Sequence, residues 1–142
     1  MKPFYIAGPM TGIPQFNFPA FEAAAQDLRA RGFEITSPHE NDTPAVQQAA
    51  WASPDGALDD SGKIAGETWG DILARDVKLV ADECGGVVLL DNWHKSRGAR
   101  LEAFVAIQCQ LPVFQYLGPG SQLYRYDHQQ VLEAIARHTI TR

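Results

Sequence analysis

GGVVLLDNWHKSRGARLEAFVAIQCQ, residues 85–110, reads as a buried strand, a polar loop and a helix that holds one acid. Val87 to Leu90 form a short apolar run between Gly85-Gly86 and Asp91-Asn92, the pattern of a central strand in a parallel sheet covered on both faces. Ala99 to Cys109 is apolar almost all round, with Glu102 its single acid, about a turn from the helix start. Two readings fit Glu102. A first-turn carboxylate is favoured by the helix dipole and could pair with Arg97 or Arg100. Alternatively, open α/β sheets bind ligands beyond the carboxyl ends of their strands, and Glu102 stands just behind such an end, facing a ligand held by the Ser96-Arg97-Gly98 turn. Ser96 brings a hydroxyl, Gly98 lets the backbone approach closely, and the free N–H groups at a helix start can hold a phosphate. An acid beside an anion site points to chemistry on a phosphorylated or hydroxylated small molecule.

The helical pattern upstream prepares this strand. Trp69, Ile72, Leu73, Val77 and Val80 recur at helical spacing between Glu67 and Cys84, and Asp76 falls on the same stripe, four residues after Ile72 and four before Val80. An acid on the stripe that faces the sheet is either buried with a partner or exposed at a cleft. Arg75 points about 100° away around the helix, so no simple local pair explains it.

Nearer the N-terminus, Phe4 to Ala7 reads as the first strand, ending at Gly8-Pro9. The following loop, GPMTGIPQFNF, carries Gly8, Met10, Thr11 and Gly12 at a presumed ligand edge, but neither a dinucleotide nor a triphosphate fingerprint. Its apolar residues Met10, Ile13, Phe16 and Phe18 either wall a base pocket or seat the loop on the core. Asn17 is the expected cap of a crossover helix over Phe21, Ala24, Ala25 and Leu28 that stops at Gly32. Phe33 to Thr36 is the expected second strand, and its end, Ser37-Pro38-His39-Glu40, offers His39 as a ligand contact or as a hydrogen-bonded loop histidine. Residues 41–66 form the least regular part, with one or two helical turns at Ala45 to Trp51, and are expected to act as a lid. Asp55, Asp59 and Asp60 lack calcium-loop spacing and read as solvated acids. Pro112 to Leu117 supplies a further strand, Leu123 to Tyr126 an edge strand, and Asp127 a cap for the final helix. The sum is an α/β chain: one mostly parallel sheet of about five strands, helices on both faces.

With 142 residues, 45% of them hydrophobic, the chain fits one domain, 1–142, able to bury a core without metal or disulfide support. Its net charge of -5, with acids and bases scattered, argues against duplex nucleic acid or an anionic membrane surface as partner. Cys84 and Cys109 have no C-x-x-C spacing and read as reduced core thiols, which points to the cytoplasm. MKPFYIAG holds too short an apolar run for a signal peptide, and no segment approaches a membrane span. No metal site and no cofactor is expected.

Several of these stretches occur together in a known family. YIAGPMTG (5–12), ITSPHE (35–40), the Arg75-Asp76 helix, Ser96-x-Gly98-x-x-x-Glu102 and LYRYDHQQVLEAI (123–135) resemble the nucleoside 2-deoxyribosyltransferase superfamily, and within it the deoxynucleoside 5'-monophosphate N-glycosidases. The resemblance implies a Rossmann-like, flavodoxin-like fold and cleavage of the bond between a base and a deoxyribose. It implies Glu102 as the nucleophile on the anomeric carbon, Asp76 orienting the sugar or protonating the base, and Tyr5 beside the nucleophile. Ser96 and the backbone near Gly98, with Arg97, would bind the 5'-phosphate. Two acids in one cleft would raise at least one pKa. Asp91 and Trp93 depart from the family's more neutral stretch there, and Trp93 could stack on a base. The 41–66 segment, with Trp51, does not map onto the characterised enzymes and could carry a base pocket or block one. Family members are dimers or larger, so a homodimer acting on a small-molecule nucleotide or nucleoside is expected. Base exchange between nucleosides and a non-catalytic nucleotide-binding protein are the alternatives.

Overall fold

Residues 4–7 alternate Phe, Tyr, Ile, Ala, and the two sides of that strand meet different helices. The computed structural model describes residues 2–140. β1 (Phe4–Ala7) leads through a 3-10 turn (Pro14–Asn17) into α1 (Phe18–Ala30), β2 (Ile35–Thr36) and the single turn α2 (Pro38–Asn41). α3 (Pro44–Ala52) and a hairpin of β3 (Lys63–Ile64) and β4 (Glu67–Thr68) follow, then α4 (Trp69–Glu83) and β5 (Gly86–Leu89). A second 3-10 turn (Trp93–Lys95) enters α5 (Arg97–Gln108), and β6 (Val113–Gln115), β7 (Tyr124–Arg125) and α6 (His128–Ile140) complete the chain.

The main sheet has the order β2-β1-β5-β6-β7, parallel throughout except for β7, which runs antiparallel to β6. The fold is Rossmann-like, as expected. Side-chain alternation with period two divides the core. Tyr5, Ala7, Val87 and Leu89 point to the face covered by α4, α5 and α6, where Val80, Ala103, Ala106 and Val131 meet them. Ile6 and Val88 point to the other face, against Phe21, Ala24, Ala25 and Leu28 of α1. Phe21 is fully buried there, so Phe21→Ala would cost ~3–5 kcal/mol in transfer and cavity terms. A third apolar cluster lies off the sheet, between Phe16, Phe18, Val46, Ala50 and Ile64.

This order creates a crevice. The chain leaves β1 for β2 on one side and later returns to β5 on the other, so the carboxyl ends of β1 and β5 flank a topological switch point, where open α/β sheets take ligands. Gly8 lies at that point; a Cβ there would come within 2.9 Å of Leu90 Cβ, so only glycine lets the two strand ends close this tightly.

Several local expectations need correction. Asn17 precedes α1 but does not cap it: its backbone is left-handed at φ 61, and its amide instead donates to the Pro9 carbonyl at 2.9 Å. The second strand is only two residues long. Within residues 41–66 the expected helical turns are present as α3, which Thr43 caps by accepting from Val46 N–H and Pro44 begins, while residues 53–62 form neither helix nor strand. The fourth helix begins at Trp69, fixed by a capping box between Thr68 and Asp71. α5 is not apolar all round in its packing: Ala99, Glu102, Ala103 and Ala106 are buried, whereas Leu101 and Phe104 are exposed. Cys84 is a core thiol, but Cys109 lies exposed just beyond the end of α5. No described helix is long and apolar enough to cross a membrane.

Candidate active site

A cavity of ≈ 330 Å³ opens at the β1/β5 switch point, within the range of small-molecule sites. Three buried carboxyl groups line it: Asp42, Asp76 and Glu102. Each arrives from a different element. Glu102 lies one and a half turns into α5, on the same face as Ala99, Ala103 and Ala106, so helical periodicity turns it toward the sheet. Asp76 occupies the sheet-facing stripe of α4, as its spacing from Ile72 and Val80 requires. Asp42 closes α2, just beyond the carboxyl end of β2.

Tyr5 joins this group from below. Its place in the β1 alternation turns it toward α5, and its hydroxyl donates to Glu102 Oε2 at 2.6 Å, fully buried. A bond that short to a carboxylate is charge-assisted. Burial pushes the Glu102 carboxyl well above its ordinary value; the nearby Asp76 charge adds to this, and the Tyr5 bond opposes it. Asp76 is pushed up to about 7, first by burial and then by the charge of Asp42, against the pull of Arg75 and Tyr5. Tyr5 is itself held well above the usual phenol range by burial and by the acids around it. The expectation that two acids in one cleft raise at least one pKa is met at Glu102, which the Asp76 charge pushes up; the acid that pushes Asp76 up is Asp42.

The cation nearest these acids is largely engaged elsewhere. Arg75 bonds both oxygens of Glu67, at 2.7 and 2.8 Å, and reaches Asp42 Oδ1 only at 3.3 Å. Asp42 therefore remains raised by burial, with Arg75 opposing. Sequence reasoning missed Asp42. It sits in a polar run with no periodicity to mark it, and only the pairing of β2 with β1 brings it to the cavity.

The start of α5 forms one rim. Ser96 caps that helix, its Oγ accepting from Ala99 N–H at 3.2 Å, which leaves the hydroxyl proton free to donate to a ligand. Arg97 stacks over the Trp69 ring at 4.6 Å, and Lys95 and Gly98 complete this side. Gly8, Met10 and Thr11 of the first loop also line the cavity. The lining also includes the apolar cluster of Phe16, Phe18, Val46, Ala50 and Ile64, with Leu58 packed against it. The loop before β3 is tied to the first loop by Gly12 N–H to Gly56 O at 2.8 Å and Gln15 N–H to Ser53 O at 2.9 Å. Residues 41–66 thus build a bonded wall of the cavity.

Five residues expected at the site do not line this cavity. Tyr5 is fully buried and reaches it only through its bond to Glu102. His39 is buried against Phe18 and Phe21, with Nδ1 2.6 Å from Ser37 Oγ, and burial lowers its pKa; it is the hydrogen-bonded loop histidine. Trp93 is buried in the core beside Tyr126, where it can stack on no base. Asp91 is exposed and faces a separate shallow crevice with Asn92 and Tyr116. Gly12 makes the turn that receives Gly56. Among the described residues, no group of three His, Cys, Asp or Glu side chains is arranged to hold a metal ion.

A family model described as Domain of unknown function (DUF4406) matches residues 2–115. No curated protein matches the chain, and no solved structure does. The match runs from β1 through β6 and takes in every residue that lines the cavity. The chain therefore belongs to the DUF4406 family.

Proposed function

We propose that this cavity cleaves the N-glycosidic bond of a (2'-deoxy)nucleoside 5'-monophosphate, with Glu102 as nucleophile, releasing free base and sugar phosphate. The observation that carries the reading is the buried Tyr5–Glu102 bond of 2.6 Å beside Asp76, at the carboxyl edge of a Rossmann-like sheet. The resemblance to the nucleoside 2-deoxyribosyltransferase superfamily, stated above, supports the same assignment.

The chemistry follows from the two acids. With both carboxyls raised, the pair retains a proton near neutral pH. Burial keeps Glu102 raised even with the Tyr5 bond opposing it; the reactive form in this reading is the one with Glu102 charged, which the Tyr5 bond favours, and the shared proton on Asp76. The Glu102 carboxylate attacks C1' as the C1'–N bond breaks through an oxocarbenium-like state. The base leaves with the bonding electron pair and takes the Asp76 proton. Asp76, now ionised, accepts a proton from water; the hydroxide so formed attacks C1', the Glu102 ester bond breaks, and both acids return to their starting states. Ser96 and Arg97, with the free N–H groups at the start of α5, would hold the 5'-phosphate. The same reading has the protein work in the cytoplasm, where Cys84 and Cys109 remain reduced, and as a homodimer.

The test is chromatographic detection of free base after incubating the protein and its Glu102→Gln variant with deoxynucleosides and their 5'-monophosphates. Release by the wild type that is lost in the variant supports the reading. Release only when an acceptor base is added would replace hydrolysis by base exchange. No release from any substrate, with saturable nucleotide binding, would replace it by a nucleotide-binding role.

A further inference from the structure

Arg75 is claimed by two acids, and the one that holds it lies outside the cavity lining. Glu67 takes the guanidinium through both oxygens, at 2.7 and 2.8 Å, the two-bond geometry that suits a carboxylate and an arginine. Asp42, which lines the cavity, receives the same Nη2 at 3.3 Å through one oxygen. Burial ranks the two acids the other way. The Asp42 side chain is 5% exposed and that of Glu67 23%, and an ion pair is stronger where water is excluded. The acid with more to gain from the cation therefore has the poorer share of it. Accordingly, Asp42 stays raised by burial with Arg75 only opposing, whereas Glu67 is lowered first by its bond to Arg75.

Local structure explains why Glu67 wins. It lies in β4, paired with Ile64 across the β3–β4 hairpin, and the next residue, Thr68, is the cap of α4. The capping box thus sets Glu67 against the first turns of the helix that carries Arg75. Asp42 is held from the other side, where Gln47 donates to its backbone carbonyl at 2.7 Å. The long Arg75 side chain, 38% exposed, is the member that can pivot between the two acids.

This division governs the charge around Asp76. That carboxyl faces Tyr5 of β1, Glu102 of α5, Asp42 beyond β2 and Arg75 of its own helix, while Lys95 and Arg97 line the same cavity from the α5 rim. After burial, the Asp42 charge does most to hold the Asp76 proton, and Arg75 does most to oppose it. A guanidinium paired fully with Asp42 would cancel the first influence, and the proton would leave Asp76 at lower pH.

We propose that Glu67 is a positioning residue: by holding Arg75 away from Asp42, it leaves the Asp42 charge in place and keeps the proton on Asp76 for the leaving base. Glu67 acts only through Arg75 and touches no substrate. Its role in turnover rests on the glycosidase reading; the division of Arg75 between two acids does not.

The test follows the Asp76 carboxyl itself. Protein labelled with carbon-13 at the aspartate carboxyls is titrated by NMR across the neutral range without substrate, and the Asp76 signal is identified by its loss in Asp76→Asn. In Glu67→Gln the Asp76 midpoint should fall by about one pH unit, the effect of an opposite charge brought alongside. In Arg75→Gln it should rise, and adding Glu67→Gln to Arg75→Gln should give less than half of the single-variant shift. Glu67→Asp, which keeps the charge on a shorter stem, should give a smaller fall and serves as the test where Glu67→Gln fails to fold. An unmoved midpoint overturns the proposal. So does an equal shift with Arg75 absent, which makes Glu67 a direct charge on the site. Base release separates the two readings: a midpoint shift matched by the alkaline limb of kcat/KM supports both, and a shift without the limb removes Glu67 from turnover. A midpoint shift in a protein that releases no base keeps the division of Arg75 and removes the glycosidase reading. Base release with an unmoved midpoint does the reverse.

Discussion

Asp76→Asn tests whether the cavity keeps a carboxyl group in a state that strains the fold. In the folded protein the Asp76 carboxyl lies at about 7, against an ordinary value of 3.8. An acid with a raised folded pKa contributes stability that is fully present below 3.8 and is lost as pH rises through 7. At about 1.4 kcal/mol per pH unit, the difference corresponds to ~4 kcal/mol. Glu102 shares the burial and competes for the same proton, so ~2–4 kcal/mol is the range to expect for one substitution. Asparagine reproduces the shape of the protonated acid and cannot ionise. The variant should therefore match the wild type within about 1 kcal/mol at pH 4.5 and exceed it by ~2–4 kcal/mol at pH 8, or roughly 5–15 °C in melting temperature. Urea unfolding of both proteins at half-unit steps from pH 4.5 to 8 measures this. A variant that is less stable than the wild type at pH 8, or a difference that does not change with pH, would refute the reasoning. The same substitution should abolish base release, since the acid is then absent. Gain of stability with loss of activity is the expected signature of a strained site.

Three further outcomes follow from the same geometry. Tyr5→Phe removes the bond that favours the charged form of Glu102; the acidic limb of the pH–rate profile should move to higher pH, read by kcat/KM across pH 5–8. Asp42→Asn removes the largest charge acting on Asp76, so the alkaline limb should move to lower pH, and an unshifted limb would separate Asp42 from the proton on Asp76. Gly56→Ala would place a Cβ 2.0 Å from the Ile13 carbonyl at a left-handed φ of +70; it should cost ~2–4 kcal/mol in urea unfolding by breaking the tie between the wall and the first loop.

The parts legible in the sequence were those with a strong period. β1 and β5 showed as short apolar runs, α1 and α4 as helical stripes, and Asp76 as an acid on the wrong side of such a stripe. Glu102 was visible because it was alone in an apolar helix. α3 was partly hidden among prolines and glycines, although Thr43-Pro44 was a cap and first turn in plain form. The β3–β4 hairpin was hidden for a sharper reason. Its two-residue turn is Ala65-Gly66, both at positive φ, and alanine in place of the usual asparagine or aspartate erased the turn signal. Asp42 reached the site only through strand pairing. His39 and Trp93 misled because residue type and a position near a strand end suggested contact with a ligand, whereas the packing of Phe18, Phe21 and Tyr126 took both rings into the core.

The role of Glu102 is most directly tested by trapping the intermediate. A 2'-fluoro-arabino nucleotide destabilises the oxocarbenium-like state, so attack and release both slow and the glycosyl-enzyme accumulates. Intact-mass measurement after acid quench should show one sugar-phosphate adduct per chain, located by fragmentation on the peptide that contains Glu102. An unmodified Glu102 in a protein that is releasing base, or an adduct on another residue, would contradict the assignment of Glu102 as the nucleophile.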